Sequence, residues 1–226
     1  MNLLERLPEE SNRAYVYRTL RINIMNLTLL PGTSVSEIDL SNTLGLSRTP
    51  IREALILLEK EKLIEISPKK KSRVSLINLR LAESAVFMHK ALEKEIIHEA
   101  CEKMTPEDLR ALENNLKIQK SLLLQENNHL TFYHIDKLFH GIIYESTQKK
   151  DVWDAIENMN THYDRLRKFD VKNISLHDVS EQHERLIEII KNKEHDAVKP
   201  FIYNHLGISL RRIDEVKAEF GVFICD

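Results

Sequence analysis

The 226-residue sequence predicts a mainly α protein in two parts: an N-terminal helix-turn-helix with a small β-hairpin wing over 1–77, and an all-helical antiparallel bundle over 78–226. Three observations predict it. Glycine (5 residues) and proline (6) are scarce and aromatic residues make up 6%, a composition that favours helix. Apolar residues recur every three or four positions along most of the chain. The exception lies between Leu63 and Ile77, where two short apolar-rich segments, Leu63–Ser67 and Arg73–Ile77, flank Pro68-Lys69-Lys70-Lys71-Ser72. That is the pattern of a hairpin with a cationic tip.

Residues 1–10 read as a loose lead-in. From Ser11, the residues Val16, Leu20, Ile24 and Leu27 recur at helical spacing, predicting an amphipathic helix to about Leu27. Leu30-Pro31-Gly32-Thr33 is a turn. Ser36, with Asp39 three residues on, starts a short helix in capping-box fashion, and the carboxylate favours the positive end of the helix dipole. Gly45 stands where a left-handed C-terminal residue is wanted, because it has no Cβ to clash. Ser47 or Thr49 caps the next helix, and Pro50 is tolerated in a first turn whose N–H groups lack partners. Ile51, Ala54, Leu55 and Leu58 then supply a face that packs on the preceding helix.

The opposite face of that second helix carries chemistry. Arg48, Thr49 and Arg52 lie in its first turns, the part of a recognition helix that reaches base edges in the major groove. An arginine fork donates two hydrogen bonds to guanine O6 and N7, and the hydroxyls of Ser47 and Thr49 suit phosphate. Lys69, Lys70, Lys71 and Arg73 on the wing would lie along a phosphate backbone. Singly, each of these is an ordinary solvated charge; in this order they make a DNA-binding face. The charge distribution agrees. Residues 1–77 hold 12 Lys/Arg against 9 Asp/Glu, whereas residues 78–226 hold 21 against 26, within an overall charge of −2.

LLPGTSVSE, followed by LGLSRTPIREALILLEKEKLIE, resembles the winged-helix domain of GntR-type bacterial transcription regulators over about Tyr15 to Ile77. The resemblance implies DNA contacts at Ser47, Arg48, Thr49 and Arg52. Two departures stand out. The wing has Lys71-Ser72 where the family usually has a glycine, and the first helix of the motif has Ile38 where some members place an arginine.

Beyond Asn78, which can cap a helix, no Gly- or Ser-rich linker intervenes. Six helices are predicted: 79–103, a second from Thr105-Pro106-Glu107-Asp108 to about Gln125, then 130–147, 150–168, 176–192 and 194–219, with Asn127-Asn128 breaking the chain after the second. Among ten histidines, four side chains in this half make a candidate metal site. Asp136 and His140 are one turn apart beside Phe132, Phe139 and Ile143, so their face looks inward. His183 and His205 each sit among apolar neighbours on later helices. One carboxylate and three imidazoles suit a first-row divalent ion with positions open for a ligand, although a lone inward histidine is more often a hydrogen-bonded core residue.

This half resembles the FCD effector domain, partner of such a winged helix in the FadR-like branch, over about Leu79 to Asp214; six helices match its shorter, VanR-like members. The resemblance implies metal ligation by the D-x-x-x-H pair Asp136 and His140 with His183 and His205, by Zn, Ni or Mn. It also implies a small organic acid effector at or beside the metal. Many members have an arginine before the Leu-Glu of the first bundle helix; here His89 precedes Leu92-Glu93 and becomes the candidate effector contact. His134, His162, His177 and His195 read as surface or packing residues, and Trp153 as core.

No apolar run approaches the length of a membrane span, and Met1–Glu10 lacks a signal-peptide core. Two cysteines, Cys101 and Cys225, are too few for a disulfide framework, so a reduced cytoplasmic setting is expected. The function expected is a homodimeric, sequence-specific DNA-binding regulator, a repressor released from a palindromic operator by its effector. A helical metalloenzyme using the Asp/His site is the alternative. A purely structural metal in a dimerising bundle is a third.

Overall fold

The computed structural model describes residues 1–67, 71–125 and 128–226. The chain divides into two compact units. One comprises Met1–Ala82 with Asn158–Lys168 and Asp214–Asp226; the other comprises Glu83–Glu157 with Phe169–Ile213.

In the first unit, α1 (Asn12–Met25) is capped by Ser11, whose side chain accepts from the Ala14 N–H. Its Val16, Leu20 and Ile24 are fully buried against α3 (Arg48–Lys60), which contributes Ile51, Ala54, Leu55 and Leu58. Each such Leu or Ile contributes about 1.5–3 kcal/mol of burial free energy. The helix stops short of Leu27, which sits at φ 57°, and Lys168 Nζ binds the carbonyl of Met25 at 2.6 Å, a cation at a helix C-terminus. Between them α2 (Glu37–Leu44) starts at Ser36, which accepts from the Asp39 N–H, and ends at Gly45 in the left-handed region (φ 65°, ψ 30°). This is the expected helix-turn-helix.

The lead-in is not loose. Asn2 and the buried Asn23 exchange backbone-to-side-chain hydrogen bonds of 2.7 and 2.8 Å, the Tyr15 hydroxyl donates to the Leu4 carbonyl, and Arg18 holds Glu10. The polar groups that tie it down lie on α1, so hydrophobic spacing within 1–10 leaves no trace of them. The wing strands are β2 (Ile64–Glu65) and β3 (Ser72–Val74), antiparallel, with β1 (Ser34–Val35) completing a sheet in the order β1-β3-β2. A strand of two residues such as β1 is too short to show a period.

After β3 comes β4 (Ile77–Asn78), which pairs in parallel with β5 (Ile224–Cys225) at the chain's end. The segment after β3 is held by two residues of helix α8 (Thr161–Asp170): Arg165 donates to the Ser75 carbonyl (2.9 Å) and hydroxyl (3.1 Å), and the Asn78 N–H donates to His162 Nδ1 (3.0 Å). Arg165 is fully buried.

The expected six helices are nine among the described residues. α4 (Leu79–Lys103) has the predicted bounds, and α5 (Pro106–Leu122) opens with a full capping box between Thr105 and Asp108. α6 (His129–Ser146) follows Asn128, whose side chain donates to the Leu122 carbonyl; Asn127 lies outside the described residues. The expected 150–168 helix is two, α7 (Lys150–Met159) and α8 (Thr161–Asp170), separated at Asn160. α9 (Leu176–Asn192) is capped by Ser175. The expected 194–219 helix is three: α10 (His195–His205), α11 (Ile208–Arg211) and α12 (Ile213–Phe220). Gly207, at φ +82°, turns the chain after α10; a Cβ there would meet Val86 Cγ1 at 3.0 Å. Close approach to α4 therefore breaks a helix that local periodicity would continue. In the second unit α5 packs on α6 and α9, and α9 on α10, around Ile97, Leu112, Phe139, Ile143, Leu186 and Ile202.

Candidate functional site

Two sites emerge, one in each unit. In the first, burying Ile51, Ala54, Leu55 and Leu58 turns the other face of α3 outward, so Ser47, Arg48, Thr49 and Arg52 are all exposed. Ser47 is the N-cap residue by position, yet its side chain makes no capping hydrogen bond. Arg48 pairs with Glu37 of α2 at 3.0 Å, so approach to an anion means exchanging one carboxylate partner for another acceptor. On the wing Lys71 is exposed, and Arg73 pairs with its cross-strand partner Glu65 at 2.7 Å. Lys69 and Lys70 lie outside the described residues.

In the second unit the helices bring Asp136, His140, His183 and His205 together, all buried. The three imidazoles form a tight group, each with a ring nitrogen within 4.8 Å of the others. His140 and His205 face each other through Nε2 at 3.2 Å. Asp136 lies beside this trio, its Oδ1 3.5 Å from His183 Nε2.

The other nitrogen of each ring is tied to a side chain. His140 Nδ1 meets Glu93 Oε1 at 2.5 Å, His183 Nδ1 meets Gln119 Oε1 at 2.7 Å, and His205 Nδ1 meets Gln182 Oε1 at 2.7 Å. Gln119 is itself oriented, because its Nε2 donates to Asn115 Oδ1 and Asn115 Nδ2 donates to the Ile135 carbonyl. An amide so fixed offers only its oxygen to His183, whose proton is therefore on Nδ1 and whose lone pair is on Nε2. Outer partners that set the tautomer in this way are the usual support of metal-ligating histidines.

Electrostatics point the same way. Burial opposes ionisation of Glu93, but the His140 and His89 imidazoles beside it outweigh burial and hold its carboxyl well below the usual range. Burial, and then the neighbouring His205, push the His183 imidazole well below its ordinary value, so it stays neutral. A His183 imidazole kept neutral beside His140 and His205, flanked by the buried carboxylates of Asp136 and Glu93, fits a divalent cation. His183 Nε2 is buried without a hydrogen-bond partner, which leaves its lone pair for a cation.

His89 is buried next to this centre, one turn before Glu93 and in contact with its carboxylate. Its ring lies 5.8 Å from that of Trp153. Trp153 itself is only half-buried; it packs at the rim of the core against Tyr144 and His140, because Gly141 opens room for its indole. His134, His177 and His195 are exposed, whereas His162 is buried in the first unit.

Glu93, Gln119 and Gln182 had no part in the sequence-based site. A signal for two of them exists. Glu93 interrupts the apolar series Val86, Ile96, Ile97, Ala100, and Gln119 continues Leu112 and Leu116 at helical spacing. A polar residue on a buried stripe needs a partner.

An exposed basic face on a helix-turn-helix, joined in one chain to a helical bundle with a buried polar centre, fits a DNA-binding transcription regulator. Comparison with known proteins agrees. Residues 12–74 match the bacterial regulatory proteins of the gntR family, and residues 85–207 match the FCD domain. The chain belongs to the GntR family of bacterial transcription regulators, with an FCD domain as its C-terminal half.

The HTH-type transcriptional repressor RspR of Escherichia coli is 27% identical over 213 residues, 94% of this chain and 93% of that protein. An uncharacterized HTH-type regulator of Streptomyces ambofaciens is 29% identical over 211 residues, 92% and 87% of the two chains. Among solved structures, E. coli McbR/YncC superposes with a TM-score of 0.69 at 21% identity, covering 93% of this chain and 99% of that one. A putative GntR regulator from Rhodococcus sp. RHA1 gives 0.69 at 15%, covering 93% and 100%. These two superpositions speak for the fold. The family and the relatives are regulators rather than enzymes, which decides against the metalloenzyme alternative.

Proposed function

We propose that this regulator is a homodimeric repressor that reads a palindromic operator with α3 and the wing, and releases it when a small organic acid binds at a metal-bearing centre in the bundle. The observation that carries the reading is the buried trio of imidazoles with Nδ1 tied outward and Nε2 turned inward. Packing alone does not call for that arrangement. Asp136, His140, His183 and His205 are the residues that would hold the ion, a Zn, Ni or Mn dication. Bound there, the ion would supply a Lewis-acid anchor for a carboxylate oxygen. Glu93, Gln119 and Gln182 keep the imidazoles in the ligating tautomer, and His89, in contact with Glu93, is the candidate contact for an effector carboxylate.

On the DNA side, Arg48 and Arg52 read base edges, Ser47 and Thr49 bind phosphate, and Lys69, Lys70, Lys71 and Arg73 line the backbone. Residues 1–77 then act as the DNA-binding domain and 78–226 as the domain for effector and dimerisation. A two-fold dimer supplies the contacts that one winged helix lacks. The relative RspR carries the description of a repressor, which supports that sign of control. No helix among the described residues is long and apolar enough to cross a membrane, and both cysteines are free, in keeping with a cytoplasmic site of action.

The test is to incubate the metal-loaded protein with fragments of its source genome at near-physiological salt and sequence what is retained. A short inverted repeat is expected among the enriched fragments. Retention with no common sequence, by protein shown to be folded and dimeric, would contradict operator recognition.

A further inference from the structure

We propose that a cleft in the first unit, alongside the wing, binds a small organic anion: a carboxylate that carries a short apolar group. The cleft has a volume of about 420 Å³, and every residue lining it belongs to that unit. Ile64, Ile66, Leu76 and Leu81 supply apolar lining, and Lys62 and His162 line it as well. The case for an anion begins behind His162, at Arg165. This guanidinium is fully buried, yet its hydrogen-bond partners are all neutral: the Thr161 carbonyl, the Ser75 carbonyl and hydroxyl, and His162 Nδ1. Buried charges are ordinarily paired, because an unpaired one forfeits its hydration.

His162 carries the argument to the cleft. Its Nδ1 accepts from Arg165 and from the Asn78 N–H, each at 3.0 Å, so the neutral ring holds its proton on Nε2. That N–H is buried and has no hydrogen-bond partner. The Lys62 carbonyl lies toward the ring, but it is the Ser75 hydroxyl that donates to it, at 2.5 Å. The Lys62 ammonium is near enough to oppose protonation of the ring, and no carboxylate pairs with it among the described residues. Two carboxylates of the lining are engaged elsewhere: Glu59 Oε1 accepts from the Ile66 N–H (3.2 Å), and Glu65 pairs with Arg73 (2.7 Å). A buried charge without a counter-charge, an N–H without an acceptor and an unpaired ammonium thus meet at one cleft. A water would satisfy the N–H and leave the charge unbalanced; a carboxylate answers both. The apolar lining favours a ligand with a carbon body over bare phosphate. Nε2 sits beneath the lining, so seating the carboxylate asks for a small shift of the ring or of the exposed Lys62. A bound anion would join β2 to the segment after β3, and so brace the two strands of the wing.

The experiment is a fluorine NMR titration of the full chain with para-fluorobenzoate, in excess chelator so that the bundle's centre is left without metal. The variants are Lys62→Asn, which removes the ammonium and suits the left-handed φ of 60°, and Leu81→Trp, which fills the cleft. Both positions are exposed, so both variants are expected to fold. Wild type is expected to bind with a Kd in the millimolar range or below. Lys62→Asn is expected to bind about tenfold more weakly, and Leu81→Trp not at all. Inorganic phosphate lacks the apolar body and para-fluorobenzyl alcohol lacks the charge, so each is expected to compete about tenfold less well than benzoate. No binding by wild type, or equal binding by wild type and both variants, would overturn the proposal. Phosphate or the alcohol competing as well as benzoate would overturn it too, and either result leaves the bundle's centre to stand on its own evidence.

Discussion

His162 accepts hydrogen bonds at Nδ1 from both the Asn78 N–H and the Arg165 guanidinium, so its ring must be neutral for the loop after β3 to be held as it is. Burial, and then the Arg165 charge, push its pKa down to about 3. An unfolded chain would titrate this group near 6.5. Between these values the unfolded state binds the extra proton, so the His162 contribution weakens folding as pH falls from about 6.5 towards 3. The slope is at most about 1.4 kcal/mol per pH unit. Urea unfolding between pH 7 and 5 is expected to show wild type losing stability faster than His162→Gln, which carries no proton to gain. Parallel curves would show that the native His162 takes up its proton as readily as the unfolded one. Nothing in the local pattern THYDRLRKF singles out His162, because its partners are a backbone N–H 84 residues away and an arginine on its own helix. Asp136 and His140 were legible for the opposite reason, being one turn apart with aromatic neighbours. The outer partner of His140, Glu93, lies on another helix, 47 residues away, and short-range spacing does not reach it.

At the scale of elements, legibility followed the source of each boundary. The ends of α2 and the start of α5 were readable because caps are local: Ser36, Gly45, and the Thr105–Asp108 box. The division of 194–219 into α10, α11 and α12 was not, because tertiary packing sets it. Two glycines separate the effects. Gly45 is left-handed with nothing within 4 Å of an added Cβ, so Gly45→Ala is expected to cost about 1–2 kcal/mol of backbone strain alone. Gly207 has the same backbone need, and an added Cβ would also press on Val86 and Lys90 at 3.0 and 3.4 Å. Gly207→Ala should therefore cost clearly more than Gly45→Ala in denaturant unfolding. It should also lower metal occupancy at the buried centre, since Gly207 lies two residues beyond His205. Equal costs for the two variants would mean that the turn after α10 relaxes freely and that α4 does not dictate it.

For the whole molecule, a regulator needs two sites and a free energy that couples them. Net charge is divided so that the DNA-facing part is positive and the remainder negative, a pattern read directly from the sequence. The exposure of Ser47, Arg48, Thr49 and Arg52 was also legible as a set, because the spacing of Ile51, Ala54, Leu55 and Leu58 dictates which face of α3 is buried and so which is left outward. The central claim is that this face reads an operator. Its most direct test is fluorescence anisotropy on the enriched inverted repeat and a scrambled duplex, with wild type, Arg48→Ala and Arg52→Ala at fixed salt. Each variant is expected to lose about 1–3 kcal/mol on the repeat and to discriminate less between the two duplexes. Wild-type affinity and discrimination in both variants would contradict the assignment of α3 as the recognition helix.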